Sequence, residues 1–232
     1  MKIQLTVEGV TETQPLVFEF ERMVNAGYVG RDQEEVRRHI EELASKGIPG
    51  PKDTPTLYPV VTRALTTESS IEVYGDETCG EVEYVLLVDN ENRIYVGLGS
   101  DHTDRHLEET DIPRSKQICP NVLSQKVWLL DDIIDHWDDL IFEATVTSEG
   151  ERVLYQKGPL SLIMDPKALM EFVATKLTRP IEGLVIYSGT IGTLPGEFVF
   201  GERFSAKLVD PKLKRSLNLS YEISPLDYMK PE

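Results

Sequence analysis

Glu81-Val82-Glu83-Tyr84-Val85-Leu86-Leu87-Val88, then Asp89-Asn90-Glu91-Asn92, then Arg93-Ile94-Tyr95-Val96-Gly97-Leu98-Gly99, reads as two apolar strands joined by a turn. Both runs are rich in β-branched and aromatic residues, both are short for a helix, and the four residues between them favour turns. Working outward, residues 140–147 and 152–156 flank Ser148-Glu149-Gly150 as a second hairpin, and residues 183–187, 203–209 and 216–223 predict further strands. Asp165-Pro166 predicts a capped helix start with proline in the first turn, continuing through Leu169, Phe172, Val173 and Leu177. Upstream, residues 3–7 and 16–20 alternate apolar and polar side chains and predict a hairpin turning near residues 11–14. Asp32 followed by Glu35 predicts a second helix start, with Val36, Ile40, Leu43 and Ala44 as its apolar stripe and Gly47 as its stop. Many strands with two well-formed helices predict an α+β, mainly β fold built on a rolled sheet. The Pro-rich connector at residues 48–56 predicts a division into an N-terminal hairpin and lid helix (1–52) and a main domain (53–232).

The chain has 232 residues, enough for one sizeable core. Against 40 acidic residues stand 24 Lys and Arg, a net charge of −16, which argues against a nucleic-acid or anionic-membrane partner. A small anionic substrate stays open, because a bound cation inverts the local field of an acidic protein. Two cysteines, Cys79 and Cys119, exclude a disulfide framework and a Cys-x-x-Cys metal site. Glu8 interrupts the N-terminus too early for a signal peptide, and no apolar run approaches a membrane span, so the expected location is the cytoplasm.

Four stretches carry candidate chemistry. Glu81 and Glu83 lie two apart on a strand and so project to one side. Two such carboxylates repel unless a cation lies between them, and an all-oxygen set suits Mg²⁺, Mn²⁺ or Ca²⁺; a solvated strand end is the plain alternative. Residues 99–109, GSDHTDRHLEE, follow the second strand and offer Asp101 as a third oxygen ligand, or form a polar surface loop. His102 and His106 in it lack a spaced third nitrogen or sulfur ligand for zinc, so at least one is expected to be structural. His39 and Glu42 share a helical face, as a general base with an orienting carboxylate or as part of a solvated charged face. Ser188-Gly189-Thr190 opens a Gly/Ser/Thr loop after a strand and offers donors to a carboxylate, or is a plain turn.

Taken in order, these stretches resemble the fumarylacetoacetate hydrolase family along nearly the whole chain. Val29-Gly30-Arg31-Asp32, His39 and Glu42-Leu43 resemble its Gly-Arg-Asn-Tyr…His…Glu-Leu segment, and Glu81-Val82-Glu83 its Glu-x-Glu metal pair. Ser100-Asp101 with Arg105 and Leu107 resembles its Asn-Asp-x-Ser-x-Arg-Asp-Leu segment, whose Asp is the third metal ligand. Lys116 ahead of Pro120 stands where the family carries a catalytic lysine, and Ser188-Gly189-Thr190 resembles its substrate-contacting Thr-Gly-Thr loop. The chain departs from that pattern at Cys79, where an Asp is common, at Ile191, where a proline follows the loop, and at Tyr58, where a lysine is frequent.

The resemblance implies a mixed β-sandwich roll with flanking helices, usually dimeric. It implies metal ligands Glu81, Glu83 and Asp101, catalytic residues His39, Glu42 and Lys116, and substrate-binding residues Arg31, Ser188, Gly189 and Thr190. It also implies Mg²⁺, or Mn²⁺ or Ca²⁺, and a small anionic 2-oxo acid. The expected reaction is cleavage of a C–C bond in an acylpyruvate-like diketo acid through a metal-stabilised enolate. Decarboxylation or dehydration of a 2-keto acid would use the same site without water activation. A non-catalytic, metal-dependent binding protein is the competitor from another class.

Overall fold

The computed structural model describes residues 1–45, 51, 53–91 and 93–229, and their side chains apart from those of residues 35, 39 and 42–45. The strands are β1 (Lys2–Glu8), β2 (Thr13–Glu19), β3 (Arg22–Gly27), β4 (Thr56–Val60), β5 (Leu65–Thr66), β6 (Ser70–Val73), β7 (Thr78–Cys79) and β8 (Val82–Val88). They continue with β9 (Ile94–Asp101), β10 (Thr103–Asp104), β11 (Asn121–Leu129), β12 (Ile141–Ser148), β13 (Glu151–Pro159), β14 (Leu184–Tyr187), β15 (Arg203–Asp210) and β16 (Arg215–Pro225). The α-helices are α1 (Gln33–Ser45), α2 (Arg105–Glu108), α3 (Ile112–Ile118) and α4 (Pro166–Lys176).

Among the described residues the strands build a nine-stranded mixed sheet, β2-β1-β11-β9-β8-β14-β3-β4 with β5 also paired to β11. A five-stranded sheet, β13-β12-β15-β16-β6, packs on it, and β7 and β10 form a small ribbon beside the site. The fold is therefore mainly β with flanking helices, as expected. β8 explains why its sequence does not alternate. Tyr84, Leu86 and Val88 face the core between the two sheets, whereas Val85 and Leu87 join a second core with Phe18, Phe20, Leu123 and Tyr187. A strand buried on both faces reads as a continuous apolar run.

The N-terminal hairpin is present, with Lys2 opposite Glu19 and Val7 opposite Gln14. The expected boundary near residue 52 runs through one sheet: β3 and β4, on either side of it, are antiparallel neighbours, and β1 pairs with β11. Two interior strands of that sheet, β3 and β11, are not among the strands expected from sequence. In β11 the register shifts between Leu123 and Val127, and Ser124-Gln125-Lys126 breaks the two-residue period there. α1 starts as predicted, with Asp32 Oδ1 accepting from the Glu34 amide at 3.0 Å. Gly47, its expected stop, lies outside the described residues.

Candidate functional site

The central strands carry three acidic groups to one end of the large sheet. β8 and β9 pair antiparallel with Val82 opposite Ser100 and Glu83 opposite Gly99, and the Asp101 amide donates to Glu81 O at 3.2 Å. One carboxylate oxygen from each of Glu81, Glu83 and Asp101 lies within 4.8 Å of the others. Glu83 and Asp101 are 1% and 2% exposed, far below the usual exposure of an acid. The neighbouring β14 runs into the loop that supports Glu83, whose Oε2 accepts from the Gly189 amide at 2.9 Å. Gly189 adopts φ +81°, and a Cβ there would lie 2.9 Å from Ala26 O, so the approach requires glycine.

Two buried cations face this acidic set. Lys116 on α3 places Nζ 2.9 Å from Asp101 Oδ2, 3.4 Å from Glu81 Oε2 and 3.1 Å from Glu108 Oε1. Arg105, the first residue of α2, ion-pairs with Glu81 at 3.1 Å and Glu108 at 2.6 Å, and its Nε donates to Cys79 Sγ at 2.9 Å. Phe198 covers the guanidinium, its ring centroid 4.2 Å from Arg105 Cζ. α2 is positioned by Asp104, whose side chain caps it by accepting from the Leu107 amide at 2.9 Å.

Burial and charge split the carboxylates. Burial alone would raise the Glu81 pKa, but the adjacent Arg105 and Lys116 outweigh it and hold the group at about 2. Glu83 is pushed well above the usual carboxylate range by burial and by the charges of Asp101 and Glu81. Asp101 is raised by burial and by Glu81, against the pull of Lys116. Burial opposes charge on Lys116, yet Asp101, Glu81 and Glu108 carry its pKa well above normal. Asp101 Oδ1 is buried with no hydrogen-bond partner among the described residues. Three converging oxygen donors, acidic neighbours that oppose ionisation of Glu83 and a partnerless Asp101 oxygen together fit a hard divalent cation.

The set opens into a cavity of about 1640 Å³ lined by Glu81, Glu83, Arg105, Glu108, Lys116, Gly189 and Thr190, among others. Val36 and Ile40 of α1 line it too. His39 and Glu42 are on α1, but their side chains lie outside the described residues. Arg31 reaches the cavity while its guanidinium is held by both oxygens of Asp138, at 2.8 and 2.7 Å. Ser188 is buried and its hydroxyl donates to Gly189 O at 2.7 Å. The Thr190 hydroxyl donates to Val82 O at 2.7 Å and accepts from Gln156 Nε2 at 2.8 Å, so its hydrogen bonds shape the loop.

His102 is the structural histidine. It is buried between Tyr221 Oη at 2.9 Å and Thr78 Oγ1 at 3.0 Å, and burial, with Arg105 adding, lowers its pKa to about 3, so the ring is neutral. His106 is exposed near Glu77. Glu108 and Gln156 are site residues that sequence reasoning did not single out. The signal for Glu108 was its spacing of three from Arg105 on one helix face.

Residues 26–221 match a family model described as Protein of unknown function (DUF2848). The chain belongs to that family. No curated protein matches it. Solved structures show that this DUF2848 chain has the fumarylacetoacetate hydrolase fold. Cg1458 is 19% identical, with 93% of this chain and 80% of that chain covered and a TM-score of 0.65. A 2-keto-3-deoxy-D-arabinonate dehydratase complexed with magnesium and 2,5-dioxopentanoate is 14% identical over 91% and 76%, with a TM-score of 0.62. Yeast ynq8, a fumarylacetoacetate hydrolase family protein, is 17% identical over 92% and 97%, with a TM-score of 0.60. No helix among the described residues is long and apolar enough to cross a membrane.

Proposed function

We propose that this protein is a divalent-metal-dependent enzyme that acts on a small 2-oxo acid, with Glu81, Glu83 and Asp101 as the metal ligands. The observation that carries the reading is the convergence of three carboxylates within 4.8 Å beside a cavity that Glu81 and Glu83 line, one of them, Asp101, with a partnerless buried oxygen. The magnesium in the complex of the structurally similar dehydratase supports Mg²⁺ as the resident ion. When bound, the cation supplies Lewis acidity for a carbonyl oxygen that gains negative charge as the neighbouring bond breaks.

The chain's own groups complete the chemistry. Lys116 keeps a positive charge at the floor of the cavity, because three acidic neighbours stabilise its ammonium. The Gly189–Thr190 loop forms the cavity wall next to Glu83 and orients that carboxylate through a backbone N–H. Phe198 lies over the Arg105 guanidinium, and Val36 and Ile40 of α1 line the same cavity. In this reading His39, oriented by Glu42, takes a proton from water or substrate, and the reaction is hydrolytic cleavage of a diketo acid. A cytoplasmic homodimer goes with the proposal.

The test is turnover of acylpyruvates, oxaloacetate and 2-keto-3-deoxy sugar acids with Mg²⁺ or Mn²⁺. Metal-dependent hydrolysis of an acylpyruvate, lowered at least about 10²-fold in kcat by His39→Ala with metal affinity unchanged, is the expected result. Wild-type turnover in His39→Ala points to decarboxylation or dehydration at the same site. Metal-dependent binding without turnover of any of them contradicts the enzyme reading.

A further inference from the structure

Glu108 has no part in holding the metal in the arrangement above, yet it touches both cations of the site. Its Oε2 is 2.6 Å from Arg105 Nη1 and its Oε1 is 3.1 Å from Lys116 Nζ, while its side chain is about a fifth exposed, on the cavity wall. The carboxylate thus occupies the two positive groups that an acidic substrate entering the cavity would otherwise engage. Counted as charges, the ionised triad and Glu108 supply four negatives, Lys116 and Arg105 two positives, and a divalent ion two more. The inner end is then neutral before substrate arrives. The residue before β7 and the link between α2 and α3 add acids to the wall, Glu77, Glu109 and Asp111. Of the other basic residues lining the cavity, Arg31 is bound bidentately to Asp138, while Arg38 on α1 and the exposed His106 stand among the acids Asp32, Glu77, Glu109 and Asp111.

We propose that Glu108 is a specificity-determining residue that restricts the site to 2-oxo acids with a single carboxylate and an uncharged far end. One carboxylate is accommodated with the 2-oxo group at the cation. A second meets a neutralised floor and an acidic wall, which is discrimination by a repulsive element. The proposal rests on the metal-dependent 2-oxo acid reading above.

The experiment is calorimetric binding of Mg²⁺ alone, and then, at saturating Mg²⁺, of two probes of equal chain length. These are 2-oxopentanoate, with one carboxylate, and 2-oxoglutarate, with two. The wild type is expected to bind 2-oxopentanoate at least about tenfold more tightly. Glu108→Gln, which keeps shape and loses charge, is expected to narrow the ratio to within about threefold, and Glu108→Asp to preserve it. The wild-type ratio alone tests the proposal even where a variant fails to fold. Equal or tighter binding of 2-oxoglutarate by the wild type overturns it, as does an unchanged ratio in Glu108→Gln. Binding of Mg²⁺ but of neither acid overturns the 2-oxo acid reading, and the proposal with it.

Discussion

Glu83 sits where three carboxylates would be unstable together without a compensating charge. Burial and its acidic neighbours raise its pKa, and in the proposed reading a divalent cation relieves the repulsion. Glu83→Gln therefore separates two effects. In metal-free protein the substitution removes a carboxyl whose ionisation burial and its acidic neighbours oppose, so the melting temperature is expected to stay level or rise. With Mg²⁺ at about 100 times its dissociation constant the wild type gains about 2.7 kcal/mol, and the variant is expected to lose that gain. Melting curves with and without Mg²⁺ check both, and a variant that still responds to Mg²⁺ as the wild type does contradicts the assignment. Glu81 and Glu83 were readable as a pair because strand alternation is a local rule. Asp101 became a candidate only through its loop and the family resemblance. The engagement of Arg31 by Asp138, 107 residues away, was not readable, because it depends on how distant segments meet.

At the scale of elements, the β15–β16 turn ties the two sheets together through a buried acid. Asp210 accepts from the Leu213 amide at 3.0 Å, lies 3.0 Å from His136 Nε2 and 3.5 Å from Arg215 Nε. Arg215 in turn stacks on Trp128 of β11 and donates to Glu8 O of β1 at 2.8 Å. Burial works against ionisation of Asp210, but the Leu213 N–H, His136 and Arg215 outweigh it and hold its pKa below the usual value. A depressed acid stabilises the fold above its unfolded pKa of about 3.9, and that contribution is lost as pH falls through the folded value. Asp210→Ala is expected to cost about 2 kcal/mol at neutral pH, with the difference from wild type shrinking below about pH 4. Denaturant melts across pH check this, and a difference that grows in acid contradicts it. The hairpins at residues 1–19 and 141–159 were visible in the sequence because each closes through a short turn. β11 was not, because its bulge breaks the period and its partners β1, β5 and β9 come from elsewhere in the chain.

Over the whole molecule, the N-terminal strands are woven into the sheet that carries the triad. β3 lies beside β14, with Asn25 opposite Tyr187, and so braces the strand leading into the Gly189 loop. A strongly acidic chain, net −16, buries two cations at one point and directs both at Glu81 and Glu108. Composition foretold the acidity, whereas the local reversal required α2 and α3 to pack on each other and on the β7–β10 ribbon. That point is the proposed metal centre. Crystals soaked in Mn²⁺ and measured near the manganese absorption edge test it most directly. The expected result is one strong anomalous peak about 2.0–2.6 Å from oxygens of Glu81, Glu83 and Asp101. At saturating Mn²⁺, no peak there, with Lys116 still paired to Asp101 and Glu81, would contradict it.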